Sequence, residues 1–191
     1  MHDLLTPQAN RSATGASSRI HVCPLSAVPL VVETHAASHL LTCLKDHHIV
    51  ETPARIGPSK HMRLHIDDIA QPMDGMVAPD ASHVAQLLEF TTTTWDRQGH
   101  IVIHCWAGIS RSTAAAYITL CALNPDADEA LVARLLREAS PTAYPNRLMV
   151  RLGDAALGRR GRMLEAVESI GRGEVASEAV PFSLPINLIG V

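Results

Sequence analysis

The stretch HCWAGISRS, residues 104–112, sets a thiol, a glycine, a guanidinium and a hydroxyl at fixed offsets. The run GHIVIHC (99–105) before it is continuously apolar and opened by glycine, as in a central buried strand. The segment SRSTAAAYITLCAL (110–123) after it has the pattern of a helix. Cys105 therefore ends a strand, and a helix starts near Ser110. A loop in that position can turn successive backbone N–H groups inward, and the helix N-terminus adds partial positive charge. Gly108 supplies the unusual backbone angles such a loop needs. Arg111 supplies a planar fork suited to two oxygens of one anion. The ligand that fits is a tetrahedral dianion held by Trp106, Ala107, Gly108, Ile109, Ser110 and Arg111. The same surroundings favour a thiolate: a free cysteine of pKa ~8.5 drops to ~3.5–7.5 at helix N-termini beside cations. Cys105 is then a nucleophile. Ser112 is placed to hydrogen-bond its sulfur. His104 faces the other side of the strand and is expected to orient the loop, not to act as a base. A buried structural cysteine before an ordinary turn would leave the glycine, arginine and serine unexplained.

Several elements must hold this loop. IHVCP (20–24), HLLTCL (39–44) and HMRLHI (61–66) read as strands. Residues 25–38 start as a helix despite Pro29, and 45–60 and 67–80 are turn-rich loops. Asp80 is placed to cap a helix over 81–95. Residues 124–140, 144–158 and 159–171 give three more helices. Strands interleaved with helices and then a helical second half point to an α/β sheet with a helical cluster on one side. The expected organisation is a flexible lead-in over 1–19, one domain over 20–171, and a tail over 172–191 with an apolar end. That end is read as docked on its own domain or, more boldly, as a homodimer contact.

Composition narrows the function. At 191 residues, 47% hydrophobic, with a formal charge of −3 and a pI near 6.4, the chain has no general attraction for nucleic acid or an anionic membrane. Its four cysteines, at 23, 43, 105 and 121, form neither a disulfide framework nor a zinc module. Neither a secretory signal nor a membrane span is apparent, so a reducing, cytoplasmic setting is expected. Eleven histidines invite a metal reading, with His47–His48 adjacent and His61 and His65 on one strand face. No acid or cysteine completes a set, so no metal is expected.

HCWAGISRS resembles the HCxxGxxRS signature of cysteine-dependent protein tyrosine phosphatases, and AGISRS is most similar to the dual-specificity group. The resemblance covers about 20–157 and is strong only at 101–113. It implies a phosphotyrosine-phosphatase-like fold: a single α/β domain with a central mixed, largely parallel sheet flanked by helices. It implies hydrolysis of a phosphate monoester, on a protein or a small molecule, through a cysteinyl-phosphate and without metal or other cofactor. It also implies an upstream aspartate as general acid. LHIDD resembles the group's strand-end pattern and puts that acid at Asp68. Counting back from Cys105 lands nearer Asp74, and Asp67 is a third candidate. SPTAYPNRLMV (140–150) resembles the segment whose asparagine braces the phosphate loop, here Asn146. By the same likeness Cys43 would form a disulfide with an oxidised Cys105. The lack of lysine in WAGIS disfavours inositol lipids, and the absence of eukaryotic-looking appendages suggests a bacterial enzyme. The rival readings are a phosphate-binding pseudophosphatase and a rhodanese- or arsenate-reductase-like thiol transferase. Trp106 could form a pocket wall or pack beneath the loop, and packing is the expected arrangement.

Overall fold

The computed structural model describes residues 18–46 and 49–188, so most of the expected lead-in, His47, His48 and the last three residues lie outside the described part. Five strands form one sheet in the order β3-β2-β4-β1-β5. They are β1 (Arg19–Pro24), β2 (His39–Cys43), β3 (His61–Leu64), β4 (Ile101–Cys105) and β5 (Phe182–Pro185). The first four are mutually parallel, and β5 runs antiparallel along β1. As expected for a strand read as central, β4 lies between β1 and β2 and is buried along its whole length.

Side chains alternate across the sheet, and this sorts the site's residues. Ile101, Ile103 and Cys105 of β4 join Leu41 and Cys43 of β2 in the larger core. Val102 joins Leu40, Cys23, Val31 and Val32 on the opposite face, under α1 (Val28–Thr34). Pro29 sits in the first turn of α1, where its missing N–H costs nothing. The other helices cover the Cys105 face: α2 (Ala81–Glu89), α3 (Arg111–Leu123), α4 (Glu129–Ala139), α5 (Arg147–Ala156) and α6 (Arg162–Ser169). Asp80 caps α2 by accepting from the Ser82 and His83 amides, and the chain continues through a π-helical turn over 90–94. Arg111 to Cys121 of α3 are all buried. The run Ala114, Ala115, Ala116 fits that position, because small side chains let a fully surrounded helix approach its neighbours closely.

The expected tail contributes the edge strand β5, with Ile20 opposite Leu184 and Val22 opposite Phe182. Only four residues pair there, next to Pro181 and ending at Pro185. Pro tolerates an edge position but gives no strand signal in sequence.

A buried ion cluster closes the helical layer. The Glu129 carboxylate accepts from Arg159 Nη1 at 2.9 Å and from Arg162 Nε and Nη2 at 3.1 and 3.0 Å. Arg159 Nη2 also donates to the Cys121 carbonyl at 2.8 Å. Burial alone would raise the Glu129 pKa, but the Arg162 hydrogen bond and the two guanidinium charges outweigh it and hold the carboxyl below its usual range. Glu129→Ala should therefore cost roughly 3–5 kcal/mol in urea unfolding, because it leaves Arg159 buried and unpaired. Glu129→Gln should cost clearly less.

Candidate active site

The loop from Cys105 to Arg111 is built from its peptide planes. In a trans peptide the carbonyl and the following N–H point in opposite directions, and no cis bond is found among the described residues. Fixing a carbonyl outward therefore turns the next amide inward. The Cys105 carbonyl accepts from the His104 ring at 3.3 Å. The Trp106 carbonyl accepts from Leu25 N–H at 3.1 Å, Ala107 from Ala179 N–H at 2.8 Å, and Ile109 from Tyr144 N–H at 2.9 Å. The Ser110 carbonyl accepts from Ala114 and Asn146 N–H at 2.9 and 3.2 Å. The amides of Trp106, Ala107, Gly108, Ser110 and Arg111 are thereby aimed into the loop, a cradle for an oxyanion. Gly108 has φ +73°, and a Cβ there would lie 2.8 Å from Pro24 N and 2.9 Å from the Cys23 carbonyl carbon. Both the backbone angle and the space demand glycine.

Cys105 lies at the loop's base, buried, with Sγ 3.2 Å from Ser112 Oγ. Arg111 is only 8% exposed. Its Nη1 donates to the Ile66 carbonyl at 3.0 Å, while its buried Nε has no hydrogen-bond partner. Such an unpaired donor is costly unless a ligand completes it. Trp106 is 59% exposed, so its expected packing beneath the loop is corrected: the ring stands at the rim.

The structure places the candidate acids differently. Asp68 reaches the loop: its Oδ1 accepts from Ser110 Oγ at 2.7 Å and from Asn146 Nδ2 at 2.9 Å, and its Oδ2 lies 3.7 Å from Arg111 Nε. Asp67 instead clasps its own loop. Its N–H donates to the Val77 carbonyl, and its carboxylate accepts from Val77 N–H at 2.7 Å with Lys45 3.6 Å away. Asp74 is exposed in that loop. Asn146 donates its backbone N–H to the Ser110 carbonyl of the loop at 3.2 Å. Its side chain holds Asp68 and the Ile69 carbonyl, and caps α5 by accepting from Met149 N–H.

Behind the sheet, His104 heads a polar chain. Burial holds its ring at about 4, well below the ordinary histidine value; the bond to the Cys105 carbonyl opposes this and the Arg111 charge adds to it. The ring is thus neutral, with Nδ1–H donating to that carbonyl and Nε2 accepting from Thr42 Oγ1 at 2.7 Å. Thr42 Oγ1, donating to His104, accepts from His61 Nε2; His61 Nδ1 pairs with Thr52 Oγ1 at 2.8 Å, and Arg63 Nη2 donates to Thr52 Oγ1. Cys43 is free and follows Thr42, which pairs with His104, so it stands in the row of Cys105 on the same face. Burial, then Cys105, raises its pKa. No cluster of three or more potential metal ligands occurs among the described residues. No helix there is long and apolar enough to cross a membrane.

Leu25, Tyr144 and Ala179 were not legible in the sequence, because each acts through its backbone amide. Thr42 and Thr52 carry no motif either.

No protein-family model matches the chain, and no curated protein matches its sequence. Solved structures do match: its structural neighbours are protein tyrosine and dual-specificity phosphatases. The PTP-2 phosphatase of Cydia pomonella superposes with TM-score 0.57 at 15% identity, over 88% of this chain and 100% of that one. The human tyrosine phosphatase-like serine/threonine/tyrosine-interacting protein gives 0.57 at 17% identity, over 73% and 91%. The Yvh1 phosphatase domain from Chaetomium thermophilum gives 0.51 at 20%, over 77% and 95%. At such identities the likeness establishes the expected fold.

Two predictions follow from the geometry. Gly108→Ala should leave the protein folded but weaken tungstate binding at least about tenfold, because the loop must shift off Cys23 and Pro24; calorimetric titration checks it. Acid should also destabilise the fold. His104 and His21, the latter held at about 3 first by burial, then by His35, His100 and Arg19, bind protons more readily unfolded, where histidine titrates near 6.5. Stability is full above pH 6.5 and should fall by a few kcal/mol as pH drops through 6.5 toward 4. Denaturant unfolding across that range should show the slope, and His104→Asn should reduce it, leaving the share of His21, His39 and His100, whose pKa values are also lowered, first by burial.

Proposed function

We propose that the protein is a phosphate monoester hydrolase acting through a cysteinyl-phosphate, of the protein tyrosine or dual-specificity phosphatase type. One observation carries this reading. Cys105, Arg111 and Asp68 converge on one loop, with Asp68 held to Ser110 on its lip and Arg111 Nε left open beside it. The fold shared with phosphatases supports it.

In the first step the Cys105 thiolate attacks phosphorus in line, and the bond to the leaving oxygen breaks. The loop amides and the Arg111 Nε edge take the equatorial oxygens, where positioning and charge stabilisation dominate. Asp68 gives its proton to the leaving oxygen. Its Oδ1 is occupied by Ser110 and Asn146, so Oδ2 carries that proton. In the second step Asp68, now a carboxylate, takes a proton from water, the water oxygen attacks phosphorus, and the S–P bond breaks. Ser112 hydrogen-bonds the departing sulfur. Supporting roles fall to His104 and Asn146. The substrate is a phosphorylated protein or a small phosphate monoester. The four free cysteines suit a reducing compartment such as the cytoplasm. A pseudophosphatase would be expected to lack the nucleophile, the arginine or the acid; Cys105 and Arg111 in the loop, with Asp68 bonded to Ser110, weigh against that reading.

Hydrolysis of para-nitrophenyl phosphate under reducing conditions with EDTA tests the proposal. Wild type should turn over, Cys105→Ser should be inactive, and Asp68→Ala should lose about 10²–10⁴-fold in kcat. Activity that survives Cys105→Ser would sink it, and so would silence from reduced wild type.

A further inference from the structure

We infer that residues 172–181, between the helical layer and β5, are a strap that positions the phosphate loop, with the Ala179 amide as its working contact. This rests on the hydrolase reading for its catalytic consequence, but the geometry is independent of it.

The strap has no regular secondary structure and mostly exposed side chains, yet it is tied down along its path. Arg137 donates to the Gly171 and Arg172 carbonyls at its start. Glu174 N–H donates to the Pro141 carbonyl at 2.9 Å. Gly173 lies so close to 141–142 that a Cβ there would sit 2.8 Å from the Pro141 and Thr142 carbonyl oxygens. At the far end the Glu178 carboxylate accepts from Ser26 Oγ at 2.8 Å. The strap thus runs from the segment that supplies Tyr144 and Asn146 to the segment that supplies Leu25. All three of those residues also hold loop carbonyls. Immediately after Glu178, Ala179, 4% exposed, donates its N–H to the Ala107 carbonyl at 2.8 Å.

That bond sets the Ala107–Gly108 peptide plane. With the carbonyl drawn outward, the Gly108 N–H must point into the loop. The plane needs a hold because Gly108, lacking a Cβ, is otherwise free to rotate about it. Ala179 is therefore a positioning residue that acts through Gly108. It lies 74 positions beyond Cys105 and outside the part of the chain whose sequence resembles a phosphatase.

The test uses the full chain with Ala179→Pro, which removes the donor, and Gly173→Ala, which lifts the strap off 141–142. Val175→Ser, at an 89% exposed side chain, is the control. Tungstate affinity is read by calorimetry, kcat with para-nitrophenyl phosphate, and Tm by scanning. The expected result is about a tenfold or greater loss of tungstate affinity and a ten- to hundredfold fall in kcat for both strap variants, with Tm near wild type and the control unchanged. Unchanged affinity and kcat per folded molecule, with only Tm lowered, would make the strap merely structural and overturn the inference. If Ala179→Pro fails to fold, Gly173→Ala decides alone. Wild type that binds tungstate without hydrolysing ester would defeat the hydrolase reading and leave the strap to be judged on affinity. Wild type that binds no tungstate overturns the strap as well.

Discussion

A loop that is to hold an anion with its own amides must have its carbonyls satisfied elsewhere, and this constraint organises the molecule around residues 105–111. Amide and carbonyl share a rigid plane, so the inward face of the loop is decided on its outward face. There, the donors come from the turn after β1, the α4–α5 connection, the first turn of α3 and the segment before β5. The Cys105 carbonyl is held from behind the sheet by His104. The buried strand–loop–helix unit supplies a rigid base, and the rest of the fold is arranged so that peripheral backbone reaches it.

The same arrangement links the proposed acid to the proposed anion site. Asp68 stands at the end of the β3 side of the sheet, yet its carboxylate is fixed by a loop hydroxyl and by the residue that caps α5. Arg111 spans the two, bonded to the Ile66 carbonyl two residues before Asp68 and left with an open Nε. The Cys105 sulfur, the loop amides and the Asp68 carboxylate are therefore held in relation to one another, the arrangement that the proposed hydrolysis by positioning requires. The buried chain from His104 through Thr42 and His61 to Thr52 satisfies every ring nitrogen it uses.

The sequence by itself determined which residue types the loop carries, at which offsets, and most of its setting. Cys105, Gly108, Arg111 and Ser112 are legible because each is a distinct residue type at a fixed offset, and the strand and helix around them because burial imposes a hydrophobic period. Asp68 was preferred over Asp67 and Asp74 only through resemblance, since three aspartates in one turn-rich loop look alike until their contacts are known. Tertiary structure alone decided that Asp68 meets Ser110 while Asp67 clasps Val77. It alone placed Trp106 at the rim, made 182–185 a strand, and brought Ala179, Tyr144 and Leu25 to the loop. The physical reason is common to these last cases: a backbone N–H is the same at every residue but proline, so its partner is chosen by where the chain passes and not by which side chain it carries.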